Sequence, residues 1–183
     1  MKTIPQGYTR VTEVLSPYNR FDGIAPDILE KAADRGKRVH HLCELHSLKL
    51  FVTEIEDDCK PYFESFRQWF DFSVKEVIHT EMRMNSVEYR LSGCMDLCVI
   101  LKGDKLPTLI DIKTPQTSAI SWQLQTAAYQ ILAKECLDLT INRRCSVMLS
   151  KFGRIARVEE YENHEKDKRL FLNALELYRF FKF

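Results

Sequence analysis

Asp111 and Lys113 stand two residues apart in the run Leu109-Ile110-Asp111-Ile112-Lys113-Thr114. In an extended strand successive side chains alternate faces, so Asp111 and Lys113 share one face while Ile110 and Ile112 point into the core. A carboxylate and an ammonium are thus set side by side at the end of an apolar strand. Solvated strand edges carry the same spacing, so this pair alone decides little. The preceding run, Gly93-Cys94-Met95-Asp96-Leu97-Cys98-Val99-Ile100-Leu101, adds to it. Asp96 is its single charge, and Met95, Leu97, Val99 and Leu101 are expected on one apolar face. A buried carboxylate needs a partner or a metal, because desolvation of an unpaired charge is costly. If the two strands pair, Asp96 and Asp111 converge. Two carboxylates with a strand carbonyl then make a hard oxygen site suited to magnesium or manganese. The competing reading is an ion pair of Asp96 with Lys113 or another cation.

The elements that must position these residues follow from periodicity. Val74–Asn85 and Tyr89–Lys102 read as strands joined near Ser86, and Leu106–Thr114 as a third after a Gly103–Asp104 turn. Pro115 ends it, and Ser118–Cys136 reads as a helix. Arg144–Lys151 and Ile155–Tyr161 are expected to form a hairpin turning at Phe152–Gly153. Before the strands, Pro26 opens a helical stretch running to Leu50, with a break expected at Gly36. Pro61–Val74 is an aromatic-rich helix, Ser16–Asp27 a loop, and His164–Phe181 a C-terminal helix. This order predicts an α/β protein, a mixed central sheet flanked by helices. One domain is expected over residues 1–183, with a helical part at about 26–73, a core at about 74–161 and the last helix at about 164–181.

Asp96, fourteen intervening residues and then Asp111-Ile112-Lys113 resemble the core of the PD-(D/E)XK nuclease superfamily. Gly36-Lys37-Arg38-Val39-His40, Gly93-x-x-Asp96 and Gln125-Thr126-Ala127-Ala128-Tyr129 resemble three ordered motifs of its RecB-type, lambda-exonuclease-like branch. Arg10-Val11-Thr12-Glu13-Val14-Leu15 is similar to the lead-in of the mitochondrial genome maintenance exonucleases, so the resemblance spans about residues 8–183. The chain departs in carrying Asp111 where glutamate is commoner, one methylene shorter.

The resemblance implies a three-layer α/β/α restriction-endonuclease-like core and a phosphodiester hydrolase acting on DNA with Mg2+ or Mn2+. It implies Asp96, Asp111, His40 and the carbonyl of Ile112 as metal ligands, with Glu81 a further candidate. The metal would acidify water and offset phosphate charge, and Lys113 would orient the attacking water and stabilise the transition state. Gln125 and Tyr129, four apart on one helix face, would support the site or contact the DNA backbone. An exonuclease in phage or bacterial recombination and repair is expected. The alternatives are a restriction-type endonuclease and a non-catalytic DNA-binding subunit.

Composition narrows the partners. Twenty-seven basic against 26 acidic residues leave a net charge of +1, so DNA attraction requires a local cluster. Lys31, Arg35, Lys37 and Arg38, with Arg143, Arg144, Lys151 and Arg154 at the hairpin, are the candidates. Trp122, Phe152 and Tyr18 could stack on unpaired bases, although packing in the core is the commoner use of an aromatic. His40, Cys43 and Glu44 share a helix face, but no second cluster completes a tetrahedral zinc site. The six cysteines include no CxxC pair. Cys94 and Cys98 would lie roughly 13 Å apart on a strand, and no iron–sulfur cluster is expected. A cytoplasmic setting without signal peptide or membrane span is expected. No P-loop occurs, so any helicase or recombination partner would be a separate protein.

Overall fold

The computed structural model describes residues 5–19 and 23–181. The chain forms β1 (Thr9–Arg10), α1 (Val11–Leu15), α2 (Pro26–Ser47), α3 (Lys60–Ser73), β2 (Val74–Ser86), β3 (Leu91–Leu101), β4 (Thr108–Lys113), α4 (Ser121–Leu137), β5 (Arg143–Met148), β6 (Arg157–Glu160) and α5 (His164–Phe181). The strands make one mixed sheet. β2 runs antiparallel along the length of β3, and β1 joins β3 in parallel at Thr9–Leu91. β3 meets β4 antiparallel only at three positions, from Leu97–Ile110 to Val99–Thr108. β4 and β5 are parallel, and β6 returns antiparallel to β5.

Helices cover both faces of the sheet, the three-layer arrangement that the sequence predicts. On one side α2 and α3 pack on it, with Val39, Phe63, Phe66 and Trp69 against Leu97, Val99, Ile110 and Val147. Phe63, Phe66 and Phe70 recur at helical spacing and all stand edge-on to His46, which clamps α3 to α2. On the other side α1, α4 and α5 bury Val14, Tyr129, Leu132, Phe171 and Leu175 against Met84, Leu91, Met95 and Leu109. Ala127, Ala128 and Ala133 are fully buried, and their small side chains let α4 lie close to the strands.

Several expectations are corrected. α2 runs unbroken through Gly36. A Cβ there would meet Thr114 Oγ1 at 3.6 Å, an ordinary contact, so the glycine neither bends the helix nor is demanded by its passage past the end of β4. The apolar alternation along β3 also slips. Met95 packs on the α4 side, whereas Leu97 and Val99 pack under α2 and α3. The slip falls at Asp96. Ser16–Tyr18 is a 3-10 turn rather than loop, and residues 20–22 of the expected loop lie outside the described residues. The regular pairing of the β5–β6 hairpin stops at Met148–Arg157.

Arg144 does not face solvent. Its side chain is 0% exposed and its Nη2 lies 2.7 Å from Asp167 Oδ2, with Nη1 donating to the Gln123 carbonyl at 2.9 Å. The pair ties β5 to α4 and to the first turn of α5. Removing one member leaves a buried charge without its counter-ion, so Arg144→Ala should lower stability by about 3–5 kcal/mol in denaturant melts. The Arg144→Met, Asp167→Leu double variant should lose much less, because no buried charge is stranded.

Candidate active site

The site forms where the regular sheet fails. Pairing of β3 with β4 ends at Leu97–Ile110, and the carboxylate of Asp96 fills the opening. Its Oδ2 accepts the Ile112 N–H at 2.7 Å, which satisfies a backbone donor that the absent ladder would have used. Directly across on β2, between the pairs Thr80–Leu97 and Met82–Met95, Glu81 has φ +45. A left-handed glutamate inside a strand is strained, and such strain persists only where the surroundings impose it. The effect is to aim the Glu81 carboxylate at the Asp96 side chain and at α2.

His40 reaches the same point from α2. Its Nδ1 lies 3.5 Å from Asp96 Oδ1 and 3.9 Å from Glu81 Oε1. One donor atom each from His40, Glu81 and Asp96 lies within 4.8 Å of the others, close enough to hold one metal ion. Glu81 is half-buried and also accepts from Cys94 Sγ at 3.4 Å.

Asp111 and Lys113 face the α4 layer. Lys113 Nζ sits 2.8 Å from Asp111 Oδ2 and donates to Gln125 Oε1 at 3.0 Å. Gln125 Nε2 in turn donates to Asp111 Oδ1 at 3.2 Å and to the Tyr129 hydroxyl at 2.9 Å. One helix turn thus carries both polar residues of the Gln-x-x-x-Tyr spacing to the strand pair. Ser146 on β5 donates to Asp111 Oδ2 at 3.3 Å, and Tyr161 donates to Ser146 Oγ at 3.0 Å. Lys113 also rests over the Trp122 ring at 5.3 Å. Trp122 is buried with Met148 and Tyr161, so its ring packs beneath the lysine instead of facing solvent.

Gly93 explains the remaining motif. A Cβ at this position would lie 2.7 Å from Leu132 Cδ1 and 2.9 Å from Tyr129 Cε1. Only glycine lets α4 approach β3 this closely, with Tyr129 against the strand and Gln125 bonded to both Tyr129 and Asp111. Gly93→Ala should lower stability by about 1–3 kcal/mol in urea melts, because the Tyr129 ring is confined and must shift.

The electrostatics follow from three carboxylates converging in a half-dry space. Burial pushes the Asp111 carboxyl up to about 6, since the pull of Lys113 is offset by the neighbouring Asp96 charge. Burial and Asp96 likewise raise Glu81. Burial would raise Asp96 too, but His40, Lys113 and the Ile112 N–H hold it below the usual carboxylate value. Burial would lower His40, yet Asp96, Glu81 and Asp111 outweigh it and lift the imidazole to about 9. The site is thus short of positive charge. An imidazole nitrogen beside carboxylate oxygens is a donor set that fits a divalent metal ion. His40, Glu81 and Asp96 would hold the ion, and Asp111, expected among the ligands, stands outside this group.

Of the other residues singled out, Lys37 is exposed on α2. Arg38 is tied to Asp34, Glu56 and Asp58 at 2.5–3.1 Å, so its charge is already balanced. Arg143 is paired with Asp104 and Glu160. Ser146 and Tyr161 were not anticipated from the sequence, because each reaches Asp111 through strand pairing beyond the motif. The hairpin pattern was their one signal.

Among curated proteins none matches the chain. Similar solved structures include SSO0001, 15% identical, covering 96% of this chain and 78% of that one at a TM-score of 0.38. Another is an alkaline exonuclease from Laribacter hongkongensis, 13% identical, covering 96% of this chain and 92% of that one at a TM-score of 0.41. The same enzyme in complex with dAMP gives 13%, 96%, 92% and 0.39. The sequence profile of the PD-(D/E)XK nuclease superfamily matches residues 25–160, which takes in His40, Glu81, Asp96, Asp111, Lys113, Gln125 and Tyr129. With that match covering well over half of its length, the chain belongs to the PD-(D/E)XK nuclease superfamily.

Proposed function

We propose that this protein is a metal-dependent deoxyribonuclease that hydrolyses phosphodiester bonds at Asp96, Asp111 and Lys113. The observation that carries the reading is the meeting of two groups at one break in the sheet. His40, Glu81 and Asp96 offer cation ligands on the α2 side, and Lys113 stands with Asp111 and Gln125 on the α4 side. A bound divalent cation would supply Lewis-acid stabilisation of phosphate charge and acidify a water. Lys113 holds its ammonium where negative charge grows on the phosphate, and Asp111 fixes its position. Gln125, bonded to both and to Tyr129, keeps that pair from swinging apart. Ser146, itself held by Tyr161, braces the same Asp111 oxygen that Lys113 contacts.

Mg2+ or Mn2+ is the proposed ion, on the hardness of the donor set. Residues 1–183 act as one nuclease unit in this reading, since both helix layers pack on a single sheet. Exonuclease action on linear DNA, in phage or bacterial recombination and repair beside a separate helicase or recombination protein, is favoured by the Gly36-x-x-x-His40 and Gln125-x-x-x-Tyr129 spacings. The six cysteines are free thiols, which suits a reducing cytoplasm. No helix among the described residues is long and apolar enough to cross a membrane.

End dependence is the test. Linear duplex, linear single strand and closed circular DNA are incubated with Mg2+ or Mn2+. Loss of the linear substrates alone supports an exonuclease and reveals the strand preferred. Cutting of circles would favour the restriction-type alternative, and intact DNA throughout would favour a binding subunit.

A further inference from the structure

The tip of the β5–β6 hairpin carries an exposed aromatic ring between two cations. Phe152 is 70% exposed. Lys151 Nζ lies 5.1 Å from its ring centroid and the Arg154 guanidinium 5.9 Å. An exposed phenylalanine on a free loop would be an ordinary surface residue, but this loop is held. Gly153 takes φ +69, and a Cβ built there would meet the Pro61 backbone, at the start of α3, at 3.8 Å. Gln68 Nε2 donates to the Gly153 carbonyl at 3.0 Å, and the Ser150 N–H donates to Ser65 Oγ at 2.8 Å. Within the tip, the Phe152 N–H donates to Ser150 Oγ at 3.1 Å. The ring is thus presented by a fixed turn, and little entropy is lost when something stacks on it.

The tip also lies on the edge of the sheet where the active site opens. β4 and β5 are parallel, and their carboxyl ends carry Lys113 and Met148. Leu149, three residues before Phe152, donates its N–H to the Lys113 carbonyl at 2.7 Å. A small cleft beside the tip is lined by Pro115 and Gln116, which follow Lys113, and by Arg154 and Arg157. Polar and cationic groups therefore continue from the lysine to the ring. Strand ends in such sheets are where ligands approach.

We infer that Phe152, with Lys151 and Arg154, is a binding site for an unpaired stretch of DNA strand. One nucleobase stacks on the ring while the two cations take the flanking phosphates. A planar base matches an aromatic ring of any sequence context, and phosphates match the cations, which is the chemistry of sequence-independent single-strand binding. Arg38 and Arg143 are already neutralised by carboxylates, whereas Lys151 and Arg154 stand beside the exposed ring. The inference rests on the nuclease reading for its choice of DNA as ligand.

The test is binding without cleavage, by fluorescence anisotropy in chelator, using a labelled short oligothymidine and a blunt duplex of equal length. Phe152→Ala should weaken oligothymidine binding about ten-fold and leave duplex binding nearly unchanged. Phe152→Trp should restore it, and the Lys151→Ala, Arg154→Ala double variant should flatten its salt dependence. Unchanged oligothymidine affinity in Phe152→Ala, equal loss on the duplex, or no binding by the native protein would each overturn the inference. Because no cleavage is read, an inactive protein with Phe152-dependent binding would sink only the nuclease reading. An active one indifferent to Phe152 would sink only this inference.

Discussion

Lys113→Ala is expected to lower the single-turnover cleavage rate by about 10²–10³-fold, the usual effect of removing one donor aimed at developing charge. The protein should still fold and still bind DNA. Lys113 is 14% exposed and has three fixed contacts, namely Asp111 Oδ2 at 2.8 Å, Gln125 Oε1 at 3.0 Å and the Trp122 ring at 5.3 Å. A lysine held this way loses little freedom when the phosphate arrives. The same change has a second consequence. Lys113 is the group that pulls the Asp111 carboxyl down against burial and Asp96, and the balance already stands at about 6. Without the lysine that carboxyl rises further, so more of it is protonated at neutral pH. The defect should therefore be deepest at low pH and partly relieved as pH rises. Rates measured across pH beside calcium-supported DNA binding separate the two effects. Undiminished turnover would remove Lys113 from the mechanism.

His40→Ala is expected to weaken divalent-ion binding by at least about ten-fold, since even residues behind the ligands commonly cost that much. Calorimetric titration with Mn2+ reads it directly, and an unchanged titration would end the assignment. The pH dependence gives a sharper signature. In the metal-free protein the imidazole is lifted to about 9 by Asp96, Glu81 and Asp111. Its proton must leave before the nitrogen can ligate. Native ion affinity should thus climb with pH up to about 9, and that slope should flatten in His40→Ala. The stability linkage runs the other way. A base with a raised folded pKa contributes stability fully present below its unfolded value near 6.5 and lost as pH rises through about 9. Metal-free native protein should therefore lose more stability over that window than His40→Ala does.

The sequence made the strand chemistry legible because period-two alternation is local. Asp111 and Lys113 do share a face, and Ile110 and Ile112 do enter the core under α2 and α3. The four-residue spacing of Gln125 and Tyr129 was legible for the same reason on a helix, and their mutual hydrogen bond follows from it. What could not be read were departures from regularity and contacts across the sheet. Nothing in the neighbours of Glu81 announces its left-handed φ, so its aim at Asp96 and α2 could not be read. The slip at Asp96 separates Met95 from Leu97, and a uniform apolar run hides it. Gly36 suggested a break, but α2 runs through it unbroken. Arg144 looked like a surface cation because Asp167, its partner, is 23 residues away in another element. Ser146 and Tyr161 reach Asp111 only once β4, β5 and β6 have assembled.

The central claim is that the break between β3 and β4 is a metal-dependent nuclease centre. The most direct measurement is cleavage of linear DNA with and without Mg2+ or Mn2+, by native protein and by Asp111→Asn, whose side chain keeps the shape but cannot supply the charge. Cleavage should require the ion and be lost in the variant while DNA binding remains. Cleavage that persists in the variant, or proceeds equally in chelator, would contradict it.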